Sequence, residues 1–249
     1  MQNRYVGDVG DFVKLSFIRA LSPGYQLGIV WYLVPDETHN NDGRHIRYLE
    51  NEDWRRLDPD VFDSLTGIVR RGERSLSTLE KLVFLRGCRF ASDPVPLPAR
   101  YAERASARAA WLADAVRVVS DCNLVFLDPD NGIEPERFRI GTKQSIKSVS
   151  FHELQDFRRR GRQIILYHHQ TRRKGGHEAE IEFNADRLRS QGFARVDAIR
   201  ANRYSPRVFF LLDANREVRR RAAHFAKVWG QHHVTWYESP TSLGKTHGP

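Results

Sequence analysis

The stretch Asn123-Leu124-Val125-Phe126-Leu127-Asp128-Pro129-Asp130-Asn131-Gly132 sets five largely apolar residues against a run of acid, amide, proline and glycine. An apolar run this short, ended at once by turn formers, reads as a strand buried on both faces, as in a parallel sheet. Two more segments share the pattern. Leu27-Gly28-Ile29-Val30-Trp31-Tyr32-Leu33 runs into Pro35-Asp36-Glu37, and Gln163-Ile164-Ile165-Leu166-Tyr167 runs into His168-His169-Gln170. In an open α/β sheet, ligands sit beyond the carboxyl ends of the strands, so polar clusters gathered there mark the expected site.

Helical segments fall between these strands. Lys14 to Leu21 is amphipathic and stops at Ser22-Pro23-Gly24, and Tyr101 to Ser120 carries apolar residues at spacings of three and four. Ser150-Phe151-His152-Glu153 is a capping box for a short helix closing near Gly161. His177 to Gln191 reads as a helix with Gly192 at C′, and Arg216 to Trp229 as the last helix, followed by a short strand at His233 to Tyr237. Phe193 to Ala201 and Arg207 to Asp213 are strands split by a turn, a hairpin-like pair. Residues 46–100 read as a mainly helical insertion with a proline-rich end. The expectation is one α/β domain over residues 1–238 and a frayed tail over 239–249.

The chain has 249 residues, enough to bury a core without staples. Two cysteines, Cys88 and Cys122, exclude a disulfide framework and any multi-cysteine metal site. No apolar run approaches the roughly 18–20 residues of a membrane span, and the polar start carries no signal-peptide core, so a cytosolic protein with no membrane partner is expected. Lys and Arg total 40 against 31 Asp and Glu, a formal charge of +9 that suits a nucleic-acid partner. A solvated basic surface is the plain alternative.

Gly7-Asp8-Val9-Gly10-Asp11-Phe12-Val13-Lys14 is similar to the N-terminal Gly-Asn-x-x-Asp-x-x-Lys segment of the small bacterial ribosomal-RNA adenine-N6 methyltransferases. Thr38-His39-Asn40-Asn41-Asp42-Gly43-Arg44 falls where that family has a Thr-His-Ala-Gly-Ala-Gly-Arg cofactor loop, and Asp128-Pro129-Asp130-Asn131 where it has Asp-Pro-Pro-Tyr. The resemblance implies a class I methyltransferase sheet, Rossmann-like with a C-terminal antiparallel hairpin, and S-adenosylmethionine as cofactor. It puts Asp11, Lys14, Asp36, Asn40, Asn41, Asp42 and Gly43 at the cofactor. Asp128, Asp130 and Asn131 would meet a target base of RNA or DNA, with His168 and His169 beside them. The sequence departs from the family in both loops: one glycine remains in the first, and the second proline and the aromatic ring are absent from the second.

Those departures open a rival. Asp36, Asp128 and Asp130, with neighbouring amides, are hard oxygen donors suited to Mg²⁺, and a histidine beside them would serve a nuclease. A non-catalytic nucleic-acid-binding module is a third reading. Thr171-Arg172-Arg173-Lys174-Gly175-Gly176 sets three cations beside two glycines, so Arg172, Arg173 and Lys174 are expected on phosphates. The arginines at 158–160 and 219–221 read as helix-end and solvated-face charges.

Overall fold

In the computed structural model, which describes residues 1–37 and 43–239, the apolar runs become the middle of a seven-stranded mixed sheet. In chain order the elements are α1 (Val9–Leu21), β1 (Leu27–Trp31), α2 (Glu52–Arg55), α3 (Pro59–Arg71), α4 (Leu76–Leu79), β2 (Arg89–Ala91) and α5 (Tyr101–Val118). Then come β3 (Leu124–Asp128), β4 (Gly132–Ile133), β5 (Ser148–Val149), α6 (Phe151–Phe157), β6 (Gln163–His169) and α7 (Gly176–Ser190). The chain closes with β7 (Val196–Ala201), β8 (Arg207–Leu212), α8 (Arg216–Trp229) and β9 (Val234–Tyr237).

The sheet order is β2-β1-β3-β6-β8-β7-β9. β2, β1, β3 and β6 are parallel; β8 is antiparallel to both β6 and β7, and β9 is antiparallel to β7. This is an α/β architecture compatible with a Rossmann-like fold, and residues 196–212 form the expected hairpin. β4 and β5 pair separately, just beyond Asp128-Pro129-Asp130-Asn131.

All five residues of β1 and of β3 are buried, and their side chains alternate between two cores as a period of two requires. Ile29, Trp31, Phe126, Ile165, Phe209 and Leu211 face the layer that holds α1, α3 and α8. Val30, Val125, Leu127, Leu166 and Phe210 face the layer of α5, α6 and α7. On the first side Phe12 of α1 touches Tyr48, Trp54, Phe62 and Trp229, with ring centroids 5.2–6.1 Å apart. That cluster fixes α1 over the sheet, and with it the position of Lys14.

Three boundaries differ from the sequence reading. α1 begins at Val9, not Lys14, because Asp8 accepts the Asp11 N–H and caps the helix a turn and a half earlier. Residues 46–100 are not wholly helical: Arg89–Ala91 pair in parallel with β1 as an edge strand, too short and too polar to announce itself. The capping box at Ser150 and Glu153 forms as expected, but its helix ends at Phe157. Residues 240–249 of the expected tail lie outside the described residues.

Candidate functional site

The carboxyl ends of β3 and β6, the start of β8 and the first turn of α1 enclose a cavity of about 280 Å³. Asp11, Lys14, Gly43, Asp128, Asp130, Asn131 and His169 all line it, so residues far apart in sequence meet there. Asn40, Asn41 and Asp42 lie outside the described residues.

Lys14 is the centre of the arrangement. Its Nζ donates to Asp11 Oδ1 at 3.0 Å and to Asp128 Oδ2 at 2.9 Å, all three groups being buried. Burial works against the charge on Lys14, but Asp11 and Asp128 outweigh it and hold the ammonium above its usual range. Burial pushes the Asp11 carboxyl up to about 6, against the pull of Lys14, with Asp8 and Asp128 adding to the rise. The hydrogen bond to Asp128 falls on Oδ2, so Oδ1 can accept from a ligand.

Asp130 belongs to a second charged group. Gln2 Nε2 donates to its Oδ2 at 2.8 Å, the Met1 amino group stands 3.6 Å from Oδ1, and Lys147 Nζ stands 3.6 Å from Oδ2. Burial alone would raise its carboxyl; the Met1 amino group, Gln2 and Lys147 hold it below the usual range. Lys147 also donates to Glu37, whose carboxyl is lowered by that bond.

The adjacent histidines part company. Successive residues of a strand point to opposite faces. His169 lines the cavity, whereas His168 turns to the other layer, where its Nδ1 accepts the Ile133 N–H at 3.2 Å. His168 Nε2 faces Glu180 Oε1 at 3.5 Å and Asn184 at 3.2 Å. The first cavity thus takes only His169; His168 fastens β4 to β6 and α7 and, with His169, lines the adjoining groove.

Asp36 stands apart too. Its Oδ1 accepts the Arg4 N–H at 3.2 Å outside the cavity wall, and the neighbouring Glu37 takes the place at the rim. Gly43 adopts φ +79°, and a Cβ there would lie 2.5 Å from the Arg4 carbonyl, which explains the one glycine retained in that loop. Asp36, Asp128 and Asp130 are not gathered around one point, and no group of three metal-ligating side chains occurs among the described residues. Asp128 Oδ2 and Asp130 Oδ2 face Lys14 and Lys147 respectively.

Sequence reasoning missed Tyr167, Arg207 and Lys147. Tyr167 ends the apolar run and reads as core, yet its ring lies 5.4 Å from Lys14 Nζ over the cavity. Burial raises its phenol to about 12, tempered by Arg207 and Lys14. Arg207 begins a strand directly after a turn, where an arginine normally faces water; only the pairing opposite His169 reveals it. Lys147 sits in a stretch with no pattern.

A second groove, of about 510 Å³, adjoins the cavity through Asn131 and His169. Arg137, Arg139, Arg173 and Arg187 line it around Phe183. Arg173 lies 3.4 Å from the Phe183 ring centroid and 3.3 Å from Glu136, while Arg172 and Lys174 are exposed. The basic loop thus splits, one cation in the groove and two at its edge.

Neither the models of known protein families nor the curated proteins match this chain. Among the described residues no helix is long and apolar enough to cross a membrane.

Proposed function

We propose that the chain is a class I methyltransferase acting on a base of RNA or DNA with S-adenosylmethionine. The observation that carries this reading is the place of β8, antiparallel between β6 and β7, combined with Asp128-Pro129-Asp130-Asn131 at the carboxyl end of the central strand β3. In the class I scaffold the last strand enters the sheet in this way, and the acceptor loop follows the strand beside the first. The sheet here differs at its edges, ending at β2 on one side and gaining β9 on the other.

The residues present fit the cofactor. Asp8, which meets no cation within ion-pair distance among the described residues, supplies a carboxylate for a ligand carrying an ammonium and a sulfonium, and Tyr5 and Tyr167 supply aromatic walls. S-adenosylmethionine, when bound, supplies an electrophilic methyl group. Asp128 Oδ1 accepts an N–H of the target amino group and orients its nitrogen, while the hydrogen bond from Lys14 to Oδ2 fixes the carboxylate in place. Asn131 and His169 stand where the cavity opens into the arginine-lined groove, which suits a base flipped out of a strand whose phosphates follow the arginines. Net charge +9 agrees with such a partner.

The test is transfer of labelled methyl from S-adenosylmethionine to mixed RNA and DNA by the wild-type protein and by Asp128→Asn. Label in nucleic acid that disappears in the variant supports the reading; no label from folded wild-type protein on either polymer refutes it.

A further inference from the structure

Among the described residues, buried cations have partners, with one exception. Lys14 meets two carboxylates, Arg108 donates to both oxygens of Glu153 at 2.6 and 2.9 Å, and Arg162 donates to the carbonyls of Cys122, Phe157 and Val119. Arg207 is only 5 % exposed, yet no carboxylate of the described residues lies within ion-pair distance, and its Nε is buried without an acceptor. A buried guanidinium left unpaired is costly to the fold. Such a group is expected where a ligand completes it.

Its surroundings point to the ligand. Arg207 pairs across the sheet with His169, and the two line the cavity together with Ser205. The acidic residues of that cavity are already met by cations: Asp11 and Asp128 share Lys14, and Asp130 and Glu37 share Lys147. Asp8 remains, and its Oδ1 accepts the Asp11 N–H. Among the described residues, Arg207 is thus the cation of this cavity that meets no carboxylate within ion-pair distance. The guanidinium packs against Gly10 of α1: a Cβ there would lie 2.6 Å from Arg207 Nη1 and 2.9 Å from Asp8 Oδ1, so only glycine lets Arg207 reach this position.

We infer that Arg207 is an oxyanion receptor: the cavity takes a ligand whose phosphate or carboxylate docks on the Arg207 guanidinium, flanked by His169 and Ser205. A planar guanidinium with free N–H groups suits either anion, each offering two oxygens to the fork. Phosphate would come from the target nucleotide, carboxylate from the amino-acid end of the cofactor. The inference stands on Arg207 itself and holds whether or not methyl transfer occurs.

The test compares matched probes by calorimetry and thermal melting: adenosine 5′-monophosphate against adenosine, and S-adenosylhomocysteine against methylthioadenosine. In the wild type the anionic member of one pair is expected to bind at least about tenfold tighter, which at about 1.4 kcal/mol per decade is readily resolved. The pair that shows the preference identifies the source of the anion. In Arg207→Met the preference should vanish, while the apo protein melts at the same or a higher temperature because the unpaired charge is gone. If Arg207→Met does not fold, Gly10→Ala serves instead: alanine favours the helix but crowds the guanidinium, so the preference should fall there too. Equal affinity within both pairs in the wild type, or a preference that survives the folded variant, would overturn the inference.

Discussion

Lys14 Nζ lies 2.9 Å from Asp128 Oδ2, so one buried ammonium ties the second turn of α1 to the carboxyl end of β3 across 114 residues. The same group holds Asp11, and the first helix and the central strand thereby share a single electrostatic joint.

Removing that ammonium leaves two buried carboxylates without the cation they share. Lys14→Met should therefore lower unfolding free energy by about 3–5 kcal/mol, the cost typical of breaking one side of a buried pair. Adding Asp128→Asn to Lys14→Met should recover part of the loss, since fewer uncompensated charges remain. Urea unfolding of the two single variants and the double variant measures this; additive losses would show that the joint carries no coupling.

The pH dependence of stability follows from Asp11. Its folded value of about 6 exceeds the ordinary 3.8, so the folded protein binds a proton that the unfolded chain does not over that interval. A raised value contributes stability that is complete below about pH 4 and lost as pH rises through about 6. Wild-type stability should thus gain, relative to Asp11→Asn, as pH falls from 7 to about 4.5. A difference between the two proteins that stays flat over this range, followed by denaturant midpoints, would count against the buried placement of Asp11.

His168 and His169 should separate under substitution. His168→Ala removes the acceptor of the buried Ile133 N–H and should cost about 1–3 kcal/mol. His169→Ala should melt close to wild type but lose methyl transfer to nucleic acid, since its ring lines the cavity mouth. Melting curves run beside the labelled-methyl assay distinguish them, and the reverse pattern would contradict the assignment of faces.

The central strands were legible because both faces of β1, β3 and β6 are buried and their ends are polar; short apolar runs followed by turn residues can hardly be read otherwise. The hairpin and the last helix were legible for similar reasons, the helix over the same residues, Arg216 to Trp229. β2 was not, because an edge strand of three residues beginning with an exposed arginine carries no apolar run. Asp11, Lys14 and Asp128 could be named from the sequence, but not their contact, which depends on Phe12 packing α1 against the sheet. Arg207 was invisible for a plainer reason: nothing local distinguishes a buried arginine from one at the surface.

Binding to RNA or DNA should weaken steeply with salt through release of counterions. Neutralising Arg172, Arg173 and Lys174 together should reduce the salt slope by about one unit per lost phosphate contact. Arg173, held by Glu136 and stacked on Phe183, should account for any accompanying loss of stability. Filter binding over a salt series reads the slope, and an unchanged slope would place the nucleic acid elsewhere.

Asp128 bears on the methyl-transfer reading more directly than any other residue. Calorimetric titration of S-adenosylhomocysteine into wild type and Asp128→Asn, run beside transfer of labelled methyl to RNA and DNA, separates cofactor binding from chemistry. The expected result is binding within about threefold in the two proteins, a shift of at most ~0.7 kcal/mol, with transfer abolished in Asp128→Asn. Folded wild-type protein that gives neither binding heat nor label, or an Asp128→Asn variant that transfers methyl at the wild-type rate, would contradict it.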